Sequence, residues 1–143
     1  MKTKVLWIVL LLSFLMLSTQ AQAMRPADVS LFGETLLAAI NRYRQENGLN
    51  QLQFDPKLIQ LAKKHSFEMF QQKAMSHRNF NERFDRSGSR LCVENVGWNY
   101  KTPQEMFEGW RNSPGHNQNM LADGIKKVGI AEVGDYITFF ACQ

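Results

Sequence analysis

The sequence predicts one α+β domain. Three observations lead there. Several segments carry apolar residues at helical spacing behind clear start signals, residues 91–100 are rich in strand formers, and two apolar runs near the end flank Gly134-Asp135. Three strands with helices on both sides is the simplest way to bury so many one-faced helices.

Of the 143 residues, the first 23 read as an export signal: Lys2 and Lys4, an apolar run over residues 5–17, then Ala21-Gln22-Ala23, a small-residue processing site. Cleavage is expected after Ala23. The run is shorter than the roughly 20 apolar residues of a membrane span, and no Cys follows it to carry a lipid. An uncleaved anchor is the alternative. The expected product, residues 24–143, is secreted or periplasmic, with no transmembrane segment after cleavage, and is long enough for one domain. Loss of Lys2 and Lys4 leaves 15 basic against 13 acidic residues, a net charge of +2. Arg78, Arg83, Arg86 and Arg90 cluster, but Glu82 and Asp85 sit among them. The stretch therefore reads as a solvated loop, and no nucleic-acid partner is expected.

The first helix starts at Ser30, an N-cap, and carries Phe32, Leu36, Leu37, Ile40 and Tyr43 on one face until Gly48. Asn41 and Arg44 lie off that face, either holding a neighbouring loop or solvated. Asp55-Pro56 opens a second helix whose apolar stripe is Leu58, Leu61, Ala62, His65, Met69 and Phe70. His65 on that stripe reads as a satisfied core group rather than a ligand. A short charged turn or helix follows around residues 81–84, then a loop at Gly88. Residues 91–100 form a strand, in which Glu94 is an anomaly: a carboxylate in an apolar strand must face water or find a partner. Thr102-Pro103-Gln104-Glu105 is a capping box opening a helix that buries Met106, Phe107 and Trp110. Ser113-Pro114 starts another, carrying His116, Met120 and Leu121 up to Gly124. Residues 127–133 and 136–142 pair through Gly134-Asp135, a two-residue connection with Gly first. Cys92 and Cys142 each fall in a strand and in an exported chain, where a bridge forms and persists. Such a bridge closes a loop of about 50 residues and stabilises by roughly 2–4 kcal/mol. The alternative is two buried thiols.

The order Ser76-His77, Glu94-Asn95 with Gly97, Trp110, Ser113-Pro114-Gly115-His116 and Asn119-Met120-Leu121 resembles the CAP superfamily of cysteine-rich secretory, venom allergen and pathogenesis-related proteins. Asn41-Arg42-Tyr43-Arg44 and the second helix extend the likeness over nearly all of the mature chain, and its small single-domain bacterial branch is the nearest match. The resemblance implies a three-layer α-β-α sandwich with a central antiparallel sheet. It also implies a cleft holding His77, Glu94 and His116, with Ser113 where many eukaryotic relatives carry a second Glu.

Three chemistries compete for these residues. Two imidazoles and a carboxylate form an open shell for Zn2+ or another divalent cation, with His77, Glu94 and His116 as ligands. A serine beside a His and an acid is the raw material of a hydrolase, although a Ser113 hydroxyl engaged as N-cap is poorly placed to attack. The third is a hydrogen-bonded network, with Asn95, Asn119 and Trp110 as support, that pins loops onto the sheet around a binding cleft. A binding or interaction module is the expected function. Its ligand class is open among lipid, small molecule and protein, and a metal-dependent or serine-type hydrolase is the alternative.

Overall fold

The computed structural model describes residues 29–143, so the expected export signal lies outside the described residues. The elements are α1 (Leu31–Glu46), β1 (Gln53–Phe54), α2 (Pro56–Gln72), α3 (Phe80–Ser87), β2 (Cys92–Trp98), α4 (Pro103–Arg111), α5 (Pro114–Met120), β3 (Lys127–Val133) and β4 (Tyr136–Cys142). The sheet order is β1-β3-β4-β2. β2 and β3 run antiparallel to the central β4, and β1 runs parallel to β3.

The sheet thus has four strands rather than three and is mixed. Two residues carry no periodicity, so β1 leaves no mark in the sequence pattern. It is placed by side chains instead. Asn41 on α1 accepts from Leu52 N–H and donates to Leu52 C=O, at 2.8 and 3.0 Å, which fixes the chain as it enters β1.

Alternation along the strands sorts the core into two layers. Val128, Ile130, Ile137 and Phe139 face Leu36, Leu37 and Ile40 of α1 and Met106, Phe107 and Trp110 of α4. Ala131, Phe140 and Cys142 face Leu58, Leu61 and Ala62 of α2. With helices on both faces, every residue of β4 is buried. Phe70 departs from the expected stripe of α2: it is 47 % exposed, because its turn has run past the sheet onto the β3-β4 hairpin. The disulfide joins Cys92 to Cys142, which stand opposite each other in the β2-β4 register.

One glycine sets how closely the α2 layer approaches. A Cβ at Gly129 of β3 would collide with the backbone of Leu58 and Ile59, so only glycine lets the first turns of α2 lie on the strand. The obstacle is backbone and cannot rotate away. Gly129→Ala is expected to destabilise by about 1–3 kcal/mol or more, read as a lower urea midpoint at unchanged m. The hairpin turn has Gly134 at φ +58° and no positive φ at Asp135, which fits the expected Gly-first connection.

Candidate functional site

β2 carries Glu94 on the face turned to α2, and the carboxylate is almost fully enclosed, with 1 % of its side chain exposed. Such an anion is tolerable only if paired and hydrogen-bonded. Arg83 of α3 provides the pairing as a two-point fork, Nε to Oε2 at 2.7 Å and Nη2 to Oε1 at 2.8 Å. The remaining guanidinium nitrogen donates to the Arg78 carbonyl at 2.8 Å, tying down the loop that enters α3. That helix begins at Asn79 with φ +59° and no side-chain cap bond, so Arg83 holds a helix start that capping leaves loose.

Two imidazoles complete the carboxylate's surroundings. His77 sits 2.9 Å from Oε1 through Nδ1. An ionised carboxylate only accepts, so Nδ1 carries the proton of this half-exposed ring. His65 is buried in α2. Its Nε2 lies 2.7 Å from the Ser76 carbonyl, which fixes the proton there, and 3.7 Å from Glu94 Oε1. Its Nδ1 has no hydrogen-bond partner and faces Glu68 Oε2 at 3.6 Å. A cavity of about 10 Å³, on the scale of a single water, is lined by His65, Glu68 and Arg83 among others. His65 thus pins the loop that delivers His77.

The other half of the site hangs on α5. Asn119 donates to the Glu94 carbonyl and to Asn95 Oδ1, both at 2.9 Å, and Asn95 donates to the His116 carbonyl at 3.0 Å. Trp110 Nε1 donates to the Val96 carbonyl at 3.0 Å. Two of these bonds are accepted by the Glu94 and Val96 carbonyls, and together the four fasten α4 and α5 to β2, an edge strand of the sheet. The His116 ring lies 6.4 Å from the Trp110 ring, half-buried.

The electrostatics follow the geometry. Burial pushes the Glu94 carboxyl up, but the hydrogen bonds from His77 and Arg83, with the charges of Arg83 and His65, outweigh it and hold the carboxyl below its usual range. Burial, and then the charge of His77, push His116 down from the ordinary histidine value. In both cases the unfolded chain takes up the proton first, so stability rises with pH through the window between unfolded and folded values. The His116 contribution is whole above about pH 6.5 and lost as pH falls below it, while that of Glu94 is whole above about pH 4.3 and lost on further acidification. Urea titrations of wild type and His116→Gln between pH 8 and pH 5 are expected to show the wild type losing ground relative to the variant as pH falls. A constant gap would contradict the assignment.

Several sequence expectations change here. Arg83, read as part of a solvated loop, is buried at 5 % exposure and is the cationic partner Glu94 required. Ser113, expected to engage backbone N–H groups as N-cap of α5, makes no cap hydrogen bond. Thr102 does cap α4, but Glu105 accepts from the Lys101 N–H rather than from Thr102. Arg44, left open between loop and solvent, is fully buried and binds loop carbonyls. Sequence reasoning missed Arg83 and the contact of His65 with Glu94. A basic residue 11 positions upstream of an anomalous carboxylate was the available signal, hidden by three exposed arginines beside it.

The proposed ligand set for a divalent cation does not fit these residues. Both Glu94 oxygens are taken by Arg83 and His77, and a cation there would stand against a guanidinium. Among the described residues no group of three or more His, Cys, Asp or Glu is placed to hold a metal ion. An open pocket of about 460 Å³ does lie beside His77, lined also by Asn79, Phe80, Asn81 and Glu82.

Comparison with known proteins agrees with this architecture. Over 122 residues the chain is 29 % identical to the uncharacterized protein YkwD of Bacillus subtilis (strain 168), covering 80 % of this chain and 48 % of that protein. It is 27 % identical to the uncharacterized membrane protein YlbC of the same strain, covering 72 % of this chain and 32 % of that protein. The chain therefore spans about half or less of these relatives. Among solved structures it is similar to an extracellular protein containing a SCP domain from Bacillus anthracis, with TM-score 0.72 and 22 % identity over 77 % of this chain and 39 % of that one. It is also similar to an outer surface protein from Borrelia burgdorferi, with TM-score 0.71 and 19 % identity over 77 % of this chain and 90 % of that one. The profile of the cysteine-rich secretory protein family, CAP, matches residues 37–143, three-quarters of the sequence, and the chain belongs to that family.

Proposed function

We propose that this domain is a binding and interaction module working outside the cytoplasm, with a recognition surface formed around His77, Ser113 and His116 over the buried Glu94. Extracellular and surface proteins among its structural relatives support the location. Among the described residues no helix is long and apolar enough to cross a membrane.

The observation that carries the reading is the fork between Arg83 and Glu94. In a hydrolase the acid behind a histidine both orients the ring and stabilises the imidazolium that forms. Glu94 orients His77, but its charge is already matched by Arg83, so little is left to support a general base. The same fork opposes a metal, as above. An oriented His77 with no charge left over behind it suits reversible recognition. The serine-hydrolase alternative draws on two details: His77 is backed by a carboxylate, and the Ser113 hydroxyl is free of the cap bond.

Calorimetric titration of zinc into chelator-stripped residues 24–143, beside the His77→Ala/His116→Ala variant, tests the reading. Binding weaker than about 1 μM, or unchanged in the variant, is expected. Sub-micromolar binding that disappears in the variant would overturn it in favour of a metal site. Peptide or ester turnover abolished by Ser113→Ala in a folded protein would overturn it in favour of the hydrolase.

A further inference from the structure

We propose that a groove at the hairpin end of the sheet, walled by Phe32 and Tyr100 over the Glu132 carboxylate, binds a small organic cation bearing an ammonium or guanidinium group. The groove holds about 250 Å³ and draws on four stretches of chain: Phe32 in the first turn of α1, Tyr100 and Lys101 in the link from β2 to α4, Glu132 near the end of β3, and Asp135 and Ile137 of the hairpin. Glu132 and Ile137 stand opposite each other in the β3-β4 register, and Ile137 packs in the α1 and α4 layer, so the carboxylate lies on that face. Tyr100 is seated rather than loose. A Cβ at Gly109 of α4 would meet its hydroxyl at 2.5 Å, so the side chain lies against α4 where only glycine leaves room.

Three observations select a cation as the occupant. Glu132 is half-buried, yet its partner is neutral: Oε2 accepts from the Ser30 hydroxyl, and among the described residues the carboxylate forms no ion pair. That hydroxyl accepts in turn from the Gly33 N–H, so the start of α1 offsets about half a charge and leaves the rest unmatched. A half-buried carboxylate gains most from a cation that brings its own N–H donors. Aromatic rings attract cations to their faces, and among the described residues the cation seated over a ring is Arg111 on Phe107, 5.8 Å from the centroid. Phe32 and Tyr100 therefore carry none of the chain's own. The lysine on the rim is already engaged, with Lys101 Nζ donating to Asn99 Oδ1 at 2.7 Å and lying 3.5 Å from Asp135. Glu132 and Asp135 against Lys101 leave the lining one negative charge in excess. An anion would face that excess, and an apolar ligand would cover Glu132 without pairing it. The groove shares no residue with the pocket beside His77, so the proposal is independent of the function given to the cleft.

Titration of 15N-labelled residues 24–143, the expected exported product, with agmatine, which carries a guanidinium and an ammonium, tests the proposal against 1-pentanol as a neutral control. Saturable amide shifts centred on residues 32, 100–101 and 132–137 are expected, with a dissociation constant on the order of 0.1–1 mM and the alcohol at least about tenfold weaker. Glu132→Gln keeps an oxygen for the Ser30 hydroxyl, so it should fold as wild type does and bind agmatine about tenfold less tightly. Tyr100→Leu, which keeps the bulk and removes the ring, should weaken binding about threefold. The His77→Ala/His116→Ala variant should bind as wild type does. No saturable shift by about 20 mM agmatine would overturn the proposal. So would equal affinity for the alcohol, full binding by Glu132→Gln, or loss of binding in the cleft variant. Binding that appears only in Arg25→Ser would mark Arg25 of the chain itself as the occupant and would overturn it too.

Discussion

Arg83→Ala is expected to cost about 3–5 kcal/mol, because it leaves the Glu94 carboxylate buried without its cation. At roughly 4 °C per kcal/mol for a domain of this size, the melting temperature should fall by about 12–20 °C. The variant also frees the Arg78 carbonyl and loosens α3, so the loss should be accompanied by faster hydrogen exchange through residues 78–88. Glu94→Gln should cost nearly as much by the reverse route, stranding a guanidinium whose side chain is 6 % exposed. A melting temperature within 3 °C of wild type for Arg83→Ala would show that the pair is solvated and that Glu94 is available for other chemistry.

Arg44→Ala should be comparably severe. The side chain is fully buried in α1, and burial pulls its guanidinium down while Asp123 opposes this. It donates to the Asn50 carbonyl at 2.8 Å and to the Met120 and Ala122 carbonyls, each at 2.9 Å. These bonds satisfy the end of α5 and the turn before β1 together, so one residue couples two loops about 70 positions apart in sequence. Alanine would leave three carbonyls without this donor and a large void, an expected cost of about 3–5 kcal/mol. Arg44→Lys should recover only part of it, since an ammonium cannot fork to both loops. The check is urea unfolding of both variants. Equal stability of Arg44→Ala and wild type would mean that water replaces the guanidinium.

Most of the fold is legible in the sequence because its signals are local. Ser30, Asp55 and Thr102 mark three helix starts, each side chain accepting from a backbone N–H in the first turn. Gly134-Asp135 fixes the hairpin, and the two flanking strands take the bounds that the apolar runs indicate. What escapes is set by distance in the chain rather than by pattern. β1 exists because Asn41 and Lys126 hold it, not because Gln53-Phe54 favours extension. Arg83 looks like its exposed neighbours Arg78 and Arg86 until α3 turns it inward. Ser113 has the identity and position of a cap without the bond, so residue type alone misleads about its hydroxyl. For the cleft, the spacing named Glu94 as needing a partner, and only the packed structure chose a guanidinium for that role.

Arg83 and Glu94 act as one neutral unit inside the scaffold. A double-mutant cycle with Arg83→Met, Glu94→Leu and the combined variant, followed by urea unfolding at pH 7, tests it most directly. Each single variant is expected to lose about 3–5 kcal/mol, and the combined variant to regain at least about 2 kcal/mol of the summed loss, since no charge is then left stranded. Additive losses would contradict the claim, leaving Glu94 an independent carboxylate and returning metal and acid-base chemistry to the cleft.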